Sequence, residues 1–181
     1  ENDAWWGEGF TEWSSVRQGK PLFEGHNQPR EPGELGYYDL SNPQALARQA
    51  ALAREYGLEG FCFYHYWFDG KRLLEKPVDQ LLQHPEIDLP FCLCWANENW
   101  TRRWDGGEQE VLMRQSYSPE LNERFAVDLL PYMRDPRYIR IHGKPVFLVY
   151  RSDIIPDLPG TLSAWRDIWR AHGLGEVYLI G

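Results

Sequence analysis

Four short apolar runs divide the chain: residues 60–68 (GFCFYHYWF), 90–96 (PFCLCWA), 144–150 (KPVFLVY) and 176–180 (EVYLI). None alternates strictly between apolar and polar. An unbroken run of this length is how a strand buried on both faces of a parallel sheet reads. Each run follows a turn signal: Gly57 with Gly60, Pro90, Gly143 with Pro145, and Gly173 with Gly175. Between them the apolar period changes to that of a helix. Residues 41–57 place Leu46, Ala50, Ala53 and Tyr56 on one stripe, with Ser41 or Asn42 as N-cap, Pro43 in the first turn and Gly57 as the stop. A shorter pattern over 75–84 opens at Pro77. Residues 118–130 open at Ser118–Pro119 and align Leu121, Phe125 and Leu129, with Pro131 ending or kinking the helix. The last pattern, 161–173, aligns Leu162, Trp165 and Trp169 and stops at Gly173.

The order is strand, helix, strand, helix, strand, helix, strand. Strand starts lie about 30, 55 and 30 residues apart, the size of βαβ units. The expected class is therefore α/β with a parallel sheet. Two architectures fit this order: an open four-stranded α/β domain, or part of a TIM-type (β/α)8 barrel with about four parallel strands and intervening helices. No GxGxxG or GxxxxGK[ST] follows any strand, so the nucleotide fingerprint of the open class is missing. A barrel needs eight strands. The reading adopted is a single domain over 1–181, the N-terminal portion of a larger barrel whose first and later strands lie outside it.

Composition narrows the chemistry. The 181 residues carry a formal charge of −8 with no Lys/Arg block, which disfavours nucleic acid and anionic membranes as partners. No apolar run reaches the about 18 residues a spanning helix needs. Cys62, Cys92 and Cys94 sit in apolar runs and read as small core residues, without the spacing of a disulfide framework or a zinc site. No cofactor and no metal are expected. A cytoplasmic location is the working expectation, and the sequence leaves oligomeric state open. The aromatic share is large, with nine Trp, ten Tyr and eight Phe.

Many of those rings gather where the strands end. The first run finishes in Tyr64, His65, Tyr66 and Trp67. The second finishes in Trp95, Asn97, Glu98, Asn99 and Trp100, followed by Arg102, Arg103, Trp104 and Asp105. The third finishes in Tyr150, Arg151 and Asp153. Ligands of parallel α/β sheets bind at these carboxyl ends. Rings that stack on C–H faces, mixed with amides and carboxylates that bond hydroxyls, match a carbohydrate better than a phosphate or a metal. Candidate substrate-binding residues are Tyr64, His65, Tyr66, Trp95, Asn97, Asn99, Trp100 and Trp104. Glu98 and Asp105 are the candidate carboxylates for catalysis. Each has a plainer alternative: a core histidine for His65, turn residues for Asn97 and Asn99, core packing for Trp95, and for Glu98 a loop-fixing ion pair with Arg102 or Arg103.

Four stretches, 5–13 (WWGEGFTEW), 25–40 (GHNQPREPGELGYYDL), 60–77 (GFCFYHYWFDGKRLLEKP) and 91–106 (FCLCWANENWTRRWDG), resemble the WbsX-like glycosyltransferase family. That family is also described as glycoside hydrolase family 99-like, similar to endo-α-mannosidases. The resemblance runs over essentially the whole chain. It implies a TIM-type barrel acting on a glycan or activated-sugar substrate, in building or processing bacterial surface polysaccharide such as O-antigen or lipopolysaccharide. An endo-glycosidase and a non-catalytic glycan-binding barrel are the alternatives. The family's Glu-Trp-x-Glu-like carboxylate motif has no counterpart after Gly143, and Glu12–Trp13 belongs to the early loop. The resemblance therefore implies that the main acid/base pair lies outside these residues and that this stretch alone is inactive.

Overall fold

The computed structural model describes residues 5–102 and 106–181, with backbone alone at 107–109. Its frame is a sheet of four parallel strands, β1 (Phe61–Phe68), β3 (Phe91–Trp95), β7 (Lys144–Val149) and β8 (Tyr178–Ile180). Each parallel strand pairs with the next in the chain, β1 with β3, β3 with β7, and β7 with β8. Among the described strands this order never reverses, so there is no switch point of the doubly wound kind. The connections are helical: α3 (Lys76–Gln83) from β1 to β3, α4 (Pro119–Asp128) and α5 (Leu130–Met133) from β3 to β7, and α6 (Leu158–Ala171) from β7 to β8. Ahead of the sheet lie α1 (Glu12–Gln18) and α2 (Pro43–Glu55).

The helices form where the local signals put them. Asn42 caps α2 by accepting from the Gln44 amide, and Pro43 holds its first turn. Pro119 and Pro131 each open a helix, so the single pattern over 118–130 becomes α4 and α5, broken at the proline. The last helix begins earlier than its stripe, because the Asp157 side chain accepts from Gly160 and caps it.

One face of the sheet is packed by helices. Phe91, Leu93, Trp95 and Phe147 from the strands meet Phe125, Trp165 and Trp169 from α4 and α6, and Leu129 just after α4. The rings interlock: Trp95 and Phe125 are 4.4 Å apart, and Phe147 and Trp169 are 6.3 Å apart. The Trp169 indole donates to the Ala126 carbonyl at 3.0 Å, satisfying the one polar atom it buries. The opposite face bears out the reading of a strand buried on both sides for β3, buried at every position, and corrects it for β1 and β8. Cys62, Tyr64, Tyr178 and Ile180 are exposed there, because no element of the described chain covers them. Cys62 is thus not a core residue, while Cys92 and Cys94 beside it on β3 are buried.

Three pairings were not legible in the pattern. Strand β2 (Lys71–Leu73) folds back antiparallel on the end of β1. Strands β4 (Trp100–Arg102) and β5 (Gly107–Met113) form a separate antiparallel pair, where the sequence suggested only a loop. Finally, β6 (Arg140–Ile141) pairs with β7 across a turn whose His142 and Gly143 both take positive φ, 51° and 77°.

Candidate functional site

The carboxyl ends of β3 and β7 are held together by one side chain. Asn97 is separated from the end of β3 by one residue and is fully buried. Its Nδ2 donates to the Arg151 carbonyl at 2.8 Å and to the Tyr117 hydroxyl at 3.1 Å. Its Oδ1 accepts from the Arg151 amide at 2.8 Å, and the Tyr117 hydroxyl donates to the Asn97 carbonyl at 2.6 Å. The amide thus spends its donors and acceptor on the scaffold, which fixes the chain turning out of two neighbouring strands. Asn99 works in the same way: its Oδ1 accepts from the Gln115 amide at 2.8 Å. Asn97 and Asn99 therefore position the rim.

What Asn97 positions is an ion cluster. Arg151 donates through Nη1 to Glu98 at 2.8 Å, and through Nε and Nη2 to the two oxygens of Asp153, each at 2.8 Å. These hydrogen bonds hold the Asp153 carboxyl below its usual range and raise Arg151, with Asp153 the larger cause. Glu98 thus pairs with Arg151, whereas Arg102 pairs with Glu110 at 3.0 Å. Glu98, Arg151, Asn99, Thr101, Gln115 and Tyr117 line an open cleft of about 520 Å³. Burial pushes the Tyr117 phenol up, keeping it a neutral hydroxyl at ordinary pH. Arg151 was visible in sequence as a strand-end residue but unassigned; Thr101, Gln115 and Tyr117 carried no signal, since only the chain's return through β5 brings the latter two here.

Beside the cleft, on the uncovered side of the sheet, runs a row of rings. Tyr150 meets Tyr64 at 5.9 Å, Tyr64 meets Tyr66 at 6.0 Å, and Tyr66 meets Trp100 edge-on at 4.9 Å. Trp5 stacks on Trp100 at 6.5 Å, so the early aromatic segment returns to this rim. Tyr64 and Tyr150 are about half exposed, at 53 % and 52 %. After desolvation, the neighbouring thiols, Tyr150 and Glu98 all push the Tyr64 phenol up, which places Glu98 within electrostatic reach of the row.

Two candidates lie elsewhere. Successive residues of a strand point to opposite faces, and His65 and Trp95 take the helix-covered one. The His65 Nε2 lies 3.3 Å from the Asp128 carboxylate under α4, its ring against Phe125 and Tyr132. That pair extends outward through Arg72, which donates to Asp79 at 2.9 Å and to the Tyr132 hydroxyl; the latter donates to Asp79 in turn. Trp95 is wedged between Tyr117, Phe125 and Trp165. Neither side chain joins Tyr64, Tyr66 and Trp100 on the open face. Arg103, the other partner considered for Glu98, and Trp104 and Asp105 lie outside the described residues.

The profile described as "Glycosyltransferase WbsX" matches residues 1–181. The chain belongs to the WbsX glycosyltransferase family. Two relatives named "Uncharacterized protein WxcX", from two strains of Xanthomonas campestris pv. campestris, are each 51 % identical over 179 residues. The match takes in 99 % of this chain and 26 % of each relative, so the chain spans about a quarter of their length. A solved structure titled "Glycoside hydrolase-like protein" superposes with a TM-score of 0.59 at 17 % identity, over 85 % of this chain and 47 % of that one. That likeness concerns the fold. Family membership supports a carbohydrate-related role for this WbsX domain. Among the described residues no group of His, Cys, Asp or Glu is arranged to hold a metal, and no helix is long and apolar enough to cross a membrane.

Proposed function

We propose that this WbsX-family segment is the glycan-recognising part of a larger carbohydrate-active enzyme, and that its four parallel strands are part of a TIM-type barrel. The observation that carries the reading is the meeting of a ring row and a polar cleft at one rim of the sheet, where Trp100 follows Asn99 and Tyr150 precedes Arg151 along the chain. Rings offer flat apolar surface to sugar C–H faces; the cleft offers hydrogen-bonding groups to hydroxyls. The sequential strand order and the single helix-covered face support the barrel, since closure by further strands would turn the open face inward.

In this reading Trp100 and Tyr66 stack on the sugar and Tyr64 bonds a hydroxyl. Glu98, positioned by Arg151, orients the ring. Glycoside hydrolysis needs a carboxyl group kept ready to donate a proton, raised by burial or by a second carboxylate, and glycosyl transfer needs a base free to take the proton of the acceptor hydroxyl. Glu98 and Asp153 both face the Arg151 guanidinium instead. This supports placing the acid/base pair elsewhere in the full protein, with bacterial surface polysaccharide, such as O-antigen, as the material acted on. The test is a glycan-array screen of the full-length protein, then product analysis with the best binder. Trp100→Ala and Glu98→Gln are expected to weaken that binder about tenfold or more, the range of a lost stacking or charged contact. Unchanged affinity in both variants by calorimetry removes the rim from the site.

A further inference from the structure

Among the described residues, three linked charged side chains set the sign of the cleft. Arg151 contributes one positive charge, while Glu98 and Asp153, both bonded to it, contribute two negative ones. The sum is one net negative charge. The bidentate contact with Asp153 and the bond to Glu98 occupy Nε and one hydrogen on each terminal nitrogen of the guanidinium. That cation is already neutralised, and it does not present the open fork that a carboxylate or phosphate would need.

Two acceptors at the cleft are uncommitted. Among the described residues, the second oxygen of Glu98 has no partner. Gln115 is only 8 % exposed, and its amide oxygen is buried without one, while its nitrogen donates to the Ser116 carbonyl at 3.2 Å. The amide oxygen of Asn99 and both ends of the Asn97 amide are already taken. Donors remain as well, on the exposed Asn99 amide nitrogen and the Trp100 indole, but the unpaired group buried in the cleft wall itself is an acceptor, and a buried acceptor without a donor is costly enough to count as a signal. A hydroxyl or an ammonium supplies donors; a carboxylate or a phosphate brings more acceptors and more negative charge.

We infer that the cleft seats a neutral or amine-bearing sugar unit and discriminates against uronic and phosphorylated ones, with Gln115 as a specificity residue. This rests on the glycan reading of the rim. It also sets the phosphate end of any activated donor outside this cleft. One net negative charge about 6 Å from a ligand charge, at effective dielectrics between a protein surface and water, corresponds to roughly tenfold in affinity.

The experiment uses the full-length protein on an array of one oligosaccharide backbone ended in four matched ways: hexose, 2-amino-2-deoxyhexose, hexuronate and hexose 6-phosphate. The expected order is amino-sugar at or above hexose, and hexuronate and phosphate roughly tenfold or more below. Glu98→Gln brings the cluster to zero net charge and should narrow that gap. Gln115→Leu should weaken the hexose and amino-sugar forms while the gap persists. Millimolar nucleoside diphosphate should not displace the hexose form. Hexuronate or phosphate bound as well as hexose by the unmodified protein overturns the charge rule and leaves the sugar site standing. Failure of all four to bind overturns the sugar site and the charge rule with it.

Discussion

Replacing Asn97 by Ala tests the latch on which the rim depends. The side chain is fully buried and joins the ends of β3 and β7 through two donated bonds and one accepted bond. Ala leaves the Arg151 N–H, the Arg151 carbonyl and one side of the Tyr117 hydroxyl without their partner. Each buried polar group so stranded costs about 1–3 kcal/mol. Water entering from the adjoining cleft recovers part of that. The net loss is about 2–4 kcal/mol, and with a urea slope of about 2 kcal/mol per M the midpoint falls by about 1–2 M. Asn97→Asp keeps the acceptor for Arg151 N–H but sets a carboxylate oxygen against the Arg151 carbonyl, so it should rescue little. Because Arg151 carries Glu98, sugar affinity should fall about tenfold under conditions where the variant is still folded. Urea unfolding and calorimetric titration of one preparation decide the matter. A midpoint shift below about 0.3 M at unchanged slope, with affinity intact, would mean that Asn97 is a passenger and the positioning argument is wrong.

Two further outcomes follow from the fold. Asp135 and Arg137 form an ion pair with both side chains 10 % exposed, and Arg137 also donates to the carbonyls of Leu81, His84 and Ile87. Burial pushes Asp135 up, but the Arg137 hydrogen bonds outweigh it and hold the carboxyl below its ordinary 3.8. A depressed folded-state value stabilises above that ordinary value and is lost as pH falls below it. Arg137→Met should therefore lower stability by about 3–5 kcal/mol at neutral pH and flatten the loss below pH 3.8, read by urea midpoints across an acid series. An acid series parallel to that of the unmodified protein would exclude this pair as the source. The barrel itself can be tested at Cys62, exposed on the open sheet face here. In the full-length protein a closing barrel should protect it, so native thiol labelling should be slow until denaturant is added. Labelling at the rate of a free thiol would show that nothing covers that face.

Much of the frame was legible because it is encoded locally. Apolar runs punctuated by Gly and Pro marked the four parallel strands to within about two residues at each end, within the usual uncertainty of element boundaries. Pro43, Pro77 and Pro119 marked helix openings, since a ring that fixes φ and removes a donor acts on its own turn alone. The placement of polar and aromatic residues at carboxyl ends was likewise visible, because strand direction follows from chain order.

The side each residue faces was not. Tyr64, His65 and Tyr66 are consecutive, with similar chemistry in the sequence, yet the pleat sends Tyr64 and Tyr66 to the open face and His65 under α4 toward Asp128. Nothing local decides that parity; it is set by which face the helices find more apolar area to cover. Glu98 likewise finds Arg151, 53 positions away, instead of its near neighbour Arg102, because β3 and β7 lie side by side in the sheet. The amino-acid order by itself determined strands, helices, their direction and the rim's composition. Only the tertiary structure decided the partners and the faces, since both depend on contacts between segments that no single segment encodes.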